Sequence, residues 1–179
     1  MKVVLIRHGK VNFKWRLWYT SEQFNEACRQ YNLAPIQQIE YSIPEGVYSC
    51  YYISMLSRTR ETAQSIFGER NYIATKLIDE VPLSASYNTW IKMPLMLWNV
   101  TGRIQWFFNN SKQKENRLQT EKRANQFVKV VMEKNEDCVV VTHGFFMHML
   151  VSELKKYGFT IDNKSTKYAN GDYVVARTS

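Results

Sequence analysis

Two histidines of this chain sit where an apolar run ends and a glycine begins the next turn: Val3-Val4-Leu5-Ile6-Arg7-His8-Gly9 and Val139-Val140-Val141-Thr142-His143-Gly144. Only one other histidine, His148, is present. A short Val/Ile/Leu block reads as a strand buried on both faces, and open α/β sheets bind ligands beyond the carboxyl ends of such strands. Both imidazoles are therefore expected at one site. Arg7 beside the first, and Ser57-Arg58-Thr59-Arg60-Glu61-Thr62-Ala63 between the two, make that site basic and imidazole-rich. Those properties suit a phosphoryl group, whose transfer depends on positioning and on stabilising charge.

A neutral imidazole nitrogen can attack phosphorus and form a phosphohistidine, dividing one difficult displacement into two easier ones. His8 is the candidate nucleophile, and Gly9 leaves room for a sharp turn beside the phosphate. A guanidinium is permanently charged and grips two oxygens at once, so Arg7 and Arg58 are the candidate clamps. Ser57 reads as an N-cap, which places Arg58 in the first turn of a helix, where the helix end favours an anion. Arg60 projects about 200° around that helix from Arg58 and is given a surface role. His143 reads as a second phosphate ligand, with leaving-group acid as its alternative role. A leaving alkoxide needs a proton, and Asp79-Glu80 offers two carboxylates for it. His148 is expected to be an ordinary core or surface residue.

These residues must be held by a scaffold, and the apolar periodicity supplies one. Lys2 to Ile6, Tyr48 to Ile53, Cys138 to Val141 and Tyr173 to Ala176 read as strands, with Tyr72 to Leu77 a weaker fifth. Ser21 to Tyr31, Ser57 to Phe67, Glu115 to Lys134 and Phe145 to Tyr157 carry apolar residues at helical spacing, Phe127, Val130 and Val131 tracing one inward stripe. Alternating strands and helices predict a three-layer α/β/α sandwich with a mainly parallel central sheet. A single domain over residues 1–179 is expected, with helical insertions at about 11–44 and 81–114 over the catalytic end. In the second insertion Pro94 and Gly102 predict short helices rather than one long one. Trp15, Trp90 and Trp98 of the two insertions are candidate walls of a substrate pocket.

Arg7-His8-Gly9 after the first strand, Arg58-Thr59-Arg60-Glu61-Thr62-Ala63 opening a helix, and Thr142-His143-Gly144 after a late strand resemble, in order and spacing, the histidine phosphatase superfamily, also called phosphoglycerate mutase-like. The resemblance implies a metal-independent phosphomonoester hydrolase that uses no cofactor and acts on a phosphorylated small molecule. It also implies Glu80, rather than Asp79, as the acid. Many members follow Arg-His-Gly with Glu or Gln and Thr, then a nearby Asn; here Lys10-Val11-Asn12 stands in that place. Lys10 and Asn12 are accordingly the remaining candidate substrate ligands. A phosphoglycerate-type mutase is the enzymatic alternative, but it needs a second anion pocket, which no motif identifies.

Lys and Arg number 24 against 16 Asp and Glu, a net charge of +8. That balance favours anionic partners, whether phosphorylated metabolites, nucleic acid or an acidic membrane surface, without choosing among them. A non-catalytic phosphate- or nucleic-acid-binding module is the alternative from another class, suggested by the aromatics among Lys14 and Arg16 in Phe13-Lys14-Trp15-Arg16-Leu17-Trp18-Tyr19. Under that reading the Arg/His quartet would be a coincidence. Cys28, Cys50 and Cys138 are widely spaced and suggest neither a disulfide framework nor a zinc site. The start of the sequence lacks the apolar span of a signal peptide, so a cytoplasmic location is expected. Met93 to Phe108 falls short of the roughly 20 apolar residues of a spanning helix, and no membrane partner is expected.

Overall fold

The computed structural model describes residues 1–37, 41, 46–162 and 167–178. Its elements in chain order are β1 (Lys2–Arg7), β2 (Trp18–Tyr19), α1 (Ser21–Leu33), β3 (Cys50–Ile53), α2 (Ser57–Phe67), β4 (Tyr72–Ala74), a 3-10 turn (Lys76–Ile78), β5 (Met93–Pro94), α3 (Leu95–Phe107), α4 (Arg117–Lys134), β6 (Cys138–Thr142), α5 (Gly144–Lys156), β7 (Thr160–Ile161) and β8 (Tyr173–Arg177). Six strands form one sheet in the order β4-β3-β6-β1-β8-β7. The four strands from β4 to β1 run parallel, and β8 and then β7 close one edge antiparallel.

Alternate residues of the central strands feed two cores, as the pleat of a buried sheet requires. Val3, Leu5 and Val140 pack with Phe127 and Val131 of α4 and with Phe146 and Leu150 of α5. Val4, Ile6, Val139 and Val141 face the other way, onto Ala63 of α2. The expected three-layer arrangement is thus present. Register brings the two histidine strands together: β1 lies beside β6 with Arg7 opposite Thr142, so His8 and His143 leave neighbouring strand ends at the same level.

The insertions build a third, smaller core in which Tyr19, Phe24, Ala27, Ala85 and Trp98 are buried. Trp98 is central to it, stacked on Phe24 at 5.6 Å and donating its indole N–H to the Tyr19 carbonyl at 3.0 Å. Here the structure corrects the expectation of short, broken helices. Residues Leu95–Phe107 form one continuous helix, with Pro94 as its N-cap rather than a break. Gly102 lies inside it because a Cβ there would come within 2.6 Å of Leu83 Cδ1. Close packing thus outweighs the ~1 kcal/mol that an interior glycine costs relative to alanine. The weak fifth strand is also shorter than expected, ending at Ala74 before the 3-10 turn. Part of the first insertion, 38–40 and 42–44, lies outside the described residues.

Trp98 and Trp90 therefore differ despite their common sequence context, since Trp90 is 87% exposed. In urea unfolding, Trp98→Ala is expected to cost about 3–5 kcal/mol and Trp90→Ala no more than about 0.5 kcal/mol. Comparable losses from both would show that the third core is wrongly placed.

Candidate active site

His8 is buried, and its ring orientation is fixed from the backbone outward. Its own N–H donates to the Thr142 carbonyl at 2.9 Å, which locks the end of β1 to the end of β6. Its Nδ1 lies 2.7 Å from the Gly9 carbonyl. A carbonyl only accepts, so Nδ1 carries the proton and Nε2 keeps a lone pair. Burial, then the Arg58 charge, push the His8 pKa down to about 3, against the opposing effect of the Gly9 bond. At neutral pH the ring is an uncharged base with Nε2 open to an electrophile.

His143 stands beside it, the two ring centroids 5.1 Å apart. It is fully buried, and desolvation, with the Arg58 charge next, holds its pKa well below the usual range. Its Nε2 lies 2.8 Å from Ser54 Oγ, while its buried Nδ1 has no partner among the described residues. A Ser54 hydroxyl that donates to Nε2 leaves the ring proton on Nδ1, available to a bound oxygen.

The two arginines share that incompleteness. Arg58 is 1% exposed, and its only hydrogen bond to a described residue runs from Nη1 to Asn32 Oδ1 at 3.0 Å. Arg7 donates Nη1 to the Tyr168 carbonyl. The Nε atoms of both are buried without a partner among the described residues, and neither guanidinium has a carboxylate partner there. Buried polar groups in native proteins are nearly always paired, so two guanidinium nitrogens and one imidazole nitrogen around His8, unpaired among the described residues, mark a candidate anion site. Glycine is required at 144 for the same reason: a Cβ there would lie 2.8 Å from Arg7 Nε, where the guanidinium crosses the start of α5.

The 58–63 run positions all of this from one helix. Leu56, not Ser57, is the N-cap of α2, without a side-chain cap bond, so Ser57 is the first helical residue. Arg58 keeps its place in the first turn, and Arg60 is exposed. Glu61 accepts the Ile36 N–H at 2.8 Å. Thr62 accepts the Gly9 N–H at 2.8 Å and donates to the Arg58 carbonyl at 2.6 Å, tying the loop after His8 to the helix that carries Arg58. Ala63 packs beneath the sheet.

Asp79 and Glu80 both line a cleft of about 1140 Å³ that also presents Arg58, Trp15, Tyr31, Asn32 and Arg103. Asp79 Oδ1 accepts the Met55 N–H at 2.7 Å, and burial raises its pKa. Glu80 Oε1 accepts the Val81 and Phe146 N–H groups at 2.9 and 3.2 Å, the second an otherwise free donor of the first turn of α5. Thr142 sets this contact, because its hydroxyl donates to the Ile78 carbonyl at 2.7 Å and pins the turn that leads into Glu80.

Residues 3–175 match the profile of the histidine phosphatase superfamily (branch 1). The chain belongs to that superfamily. Among solved structures it is similar to a phosphoserine phosphatase variant from Entamoeba histolytica in complex with phosphoserine, at 18% identity and a TM-score of 0.55, over 97% of this chain and 89% of that one. It is similar also to the alpha-ribazole phosphatase of Shigella flexneri, with 14% identity, a TM-score of 0.59 and coverage of 98% and 89%. A phosphoglycerate mutase from Thermus thermophilus shares 17% identity and a TM-score of 0.55 over 98% and 92%. Comparison with curated proteins gives no sequence match.

Within this histidine phosphatase the structure brings Arg7, His8, Arg58, His143 and Glu80 together but gives Lys10 and Asn12 no such place. Both are exposed on the loop after His8, and neither side chain bonds to the quartet among the described residues. Among the described residues Asn12 bonds through its backbone N–H, to the Pro35 carbonyl at 2.8 Å. His148 is a surface residue whose ring lies tilted against Tyr168 with centroids 4.7 Å apart, near enough to Glu80 and Arg7 to feel their charges. Of the three tryptophans, Trp15 lines the cleft; Trp98 is core, and Trp90 is exposed away from it. Residues not singled out in the sequence complete the site: Ser54, Asn32, Thr62, Arg103, and Asn170, whose amide donates to the His8 and Gly9 carbonyls at 3.1 and 3.3 Å.

The depressed histidine pKa values carry a signed consequence for stability. Between about pH 3 and 6.5 the unfolded chain binds protons that the folded His8 refuses, so His8 contributes stability that is full above 6.5 and lost as pH falls toward 3. His143 acts in the same direction. Melting temperatures recorded from about pH 7 down to about pH 4 should fall less steeply in His8→Asn than in the parent protein. Parallel profiles would mean that His8 is not held neutral.

Proposed function

We propose that the protein is a phosphomonoester hydrolase acting on a phosphorylated small molecule through a phosphohistidine at His8. The observation that carries this reading is the trio of buried nitrogens unpaired among the described residues, Arg7 Nε, Arg58 Nε and His143 Nδ1, gathered around an imidazole whose Nε2 bears a lone pair. Arg7 and Arg58 grip the non-bridging oxygens, and His143 donates from Nδ1 to one of them. His8 Nε2 attacks phosphorus as the ester oxygen departs and takes a proton from Glu80. Water, deprotonated by the same carboxylate, then attacks the phosphohistidine, releasing inorganic phosphate and free His8. The superfamily membership and the phosphatases among the structural neighbours support this reaction class.

The alcohol side of the substrate lies in the cleft, over Trp15 and Tyr31 and toward Arg103. Arg103 donates to the Val81 carbonyl and lies 3.8 Å from the Phe145 ring centre, with no carboxylate in ion-pair contact among the described residues. This favours substrates whose alcohol part carries its own anionic group. Phosphoserine and 3-phosphoglyceric acid, bound by the Entamoeba phosphatase, are two such compounds.

Acid–base assistance contributes about 10²–10⁴-fold to such reactions, and most where the leaving group is poor. Glu80→Gln should therefore slow alkyl phosphates by about that factor and activated aryl phosphates far less. A larger selective loss in Asp79→Asn would move the acid to Asp79, whose raised pKa suits the role. Arg103→Gln should raise KM for phosphoserine about tenfold relative to p-nitrophenyl phosphate, the worth of one charged hydrogen bond. Rapid acid or base quench of the parent enzyme with labelled substrate should trap base-stable, acid-labile phosphate that His8→Ala lacks. Undiminished turnover in His8→Ala would refute the mechanism.

A further inference from the structure

α3 is apolar on two opposite sides, and the fold uses only one. Trp98, Gly102 and Trp106 face the protein. At about 100° per residue, Met96, Leu97, Val100, Ile104, Phe107 and Phe108 fall together on the far side. All six are exposed, Met96 at 76% and Phe108 at 74%. Helices apolar all round are normally buried, and an exposed apolar patch of this continuity marks an interaction surface. It does not stop at α3. Leu95 N–H donates to the Leu17 carbonyl at 2.8 Å and Trp18 pairs with Pro94, which sets the exposed Leu17 and Trp18 beside the helix start. Trp90 and Ile91, also exposed, precede it in the chain.

Charge says what covers this face. Neither 11–21 nor 81–114 contains an Asp or Glu, while Lys14, Arg16, Lys92, Lys112 and Lys114 are all exposed. The nearest acids in the following segment are occupied, Glu115 by Arg123 and Glu121 by Arg117. Glu22, just beyond 11–21, is the first exposed carboxylate in the chain after this basic segment, so a second copy docked face to face would set several cations of each copy against few acids of the other. Tryptophan, phenylalanine and leucine on an apolar face with lysine and arginine at its margin instead match a surface that has an apolar interior beneath an anionic layer.

We propose that the outer face of α3, with Leu17, Trp18 and Trp90, docks on the surface of an anionic lipid bilayer. No described helix is long and apolar enough to cross a membrane, and docking of this kind does not require one. The face seats in the headgroup and upper acyl region while the basic side chains meet lipid phosphates. Asn99 and Arg103 of the same helix line the catalytic cleft, so the cleft would open beside the membrane surface.

The test is co-sedimentation of the full chain with vesicles of phosphatidylcholine mixed with phosphatidylglycerol, against vesicles of phosphatidylcholine alone. Binding to the anionic vesicles should exceed that to the neutral ones by about tenfold or more and weaken in high salt. The double variant Val100→Glu/Ile104→Glu should lose about tenfold or more of that binding while its melting temperature stays that of the parent. Lys92→Glu/Lys112→Glu, which leaves the apolar face intact, should weaken binding through charge alone. No binding to anionic vesicles, or equal binding by both variants and the parent, would overturn the proposal. A concentration-dependent dimer in sedimentation equilibrium that Val100→Glu/Ile104→Glu dissociates, without vesicle binding, would assign the face to a second copy.

Discussion

The hydrogen bond from His8 Nδ1–H to the Gly9 carbonyl, 2.7 Å long, decides which ring nitrogen can react. Much of the surrounding structure maintains it. Asn170, from the loop before β8, donates to the His8 and Gly9 carbonyls, and Thr62 of α2 accepts the Gly9 N–H. β6 holds the His8 backbone from the other side. Segments remote in the chain thus converge on two residues at the end of one strand, and the position of Nε2 follows from backbone contacts rather than from a mobile side chain.

The second constraint is charge. Among the described residues Arg58 is buried with no carboxylate in ion-pair contact, Glu80 and Asp79 acting on it only through their charge, and Arg7 has one buried nitrogen unpaired, an arrangement that destabilises the free protein because desolvated charge is costly when incompletely answered. Proteins accept such local costs where function needs them. Under the proposed function a bound phosphoryl group supplies the missing partners, so the same feature that weakens the free protein favours its complex. The low histidine pKa values arise first from burial and then from this field. Under the proposed function they keep His8 unprotonated until the anion arrives.

Much of this was legible in the sequence, for definable reasons. Two Val-rich runs each ending in His-Gly announce buried parallel strands, and the carboxyl-end rule then places both histidines at one site. The 58–63 run could be read as a helix start carrying a clamp, but the job of Thr62 could not, because it consists of one bond to a residue 53 positions away. Ser54, Asn32 and Asn170 were silent for the same reason: short polar residues in loops and at a helix end carry no periodicity. Lys10 and Asn12 adjoin His8 in sequence, yet both are exposed and neither side chain bonds to the quartet among the described residues. Gly102 misled because its local cost to a helix was visible and its contact with Leu83 was not. Trp15, Trp90 and Trp98 were indistinguishable by type and ended in the cleft, in solvent and in a core.

The central claim is that His8 rests neutral with its proton on Nδ1. Two-bond ¹H–¹⁵N correlation spectra of the histidine rings at neutral pH, assigned by comparison with His8→Asn, report the state of each nitrogen directly. The account predicts a His8 Nε2 at the shift of an unprotonated, lone-pair-bearing nitrogen and an Nδ1 at that of a protonated one, unchanged until the pH nears 3. An imidazolium pattern at neutral pH, or a proton on Nε2, would contradict it.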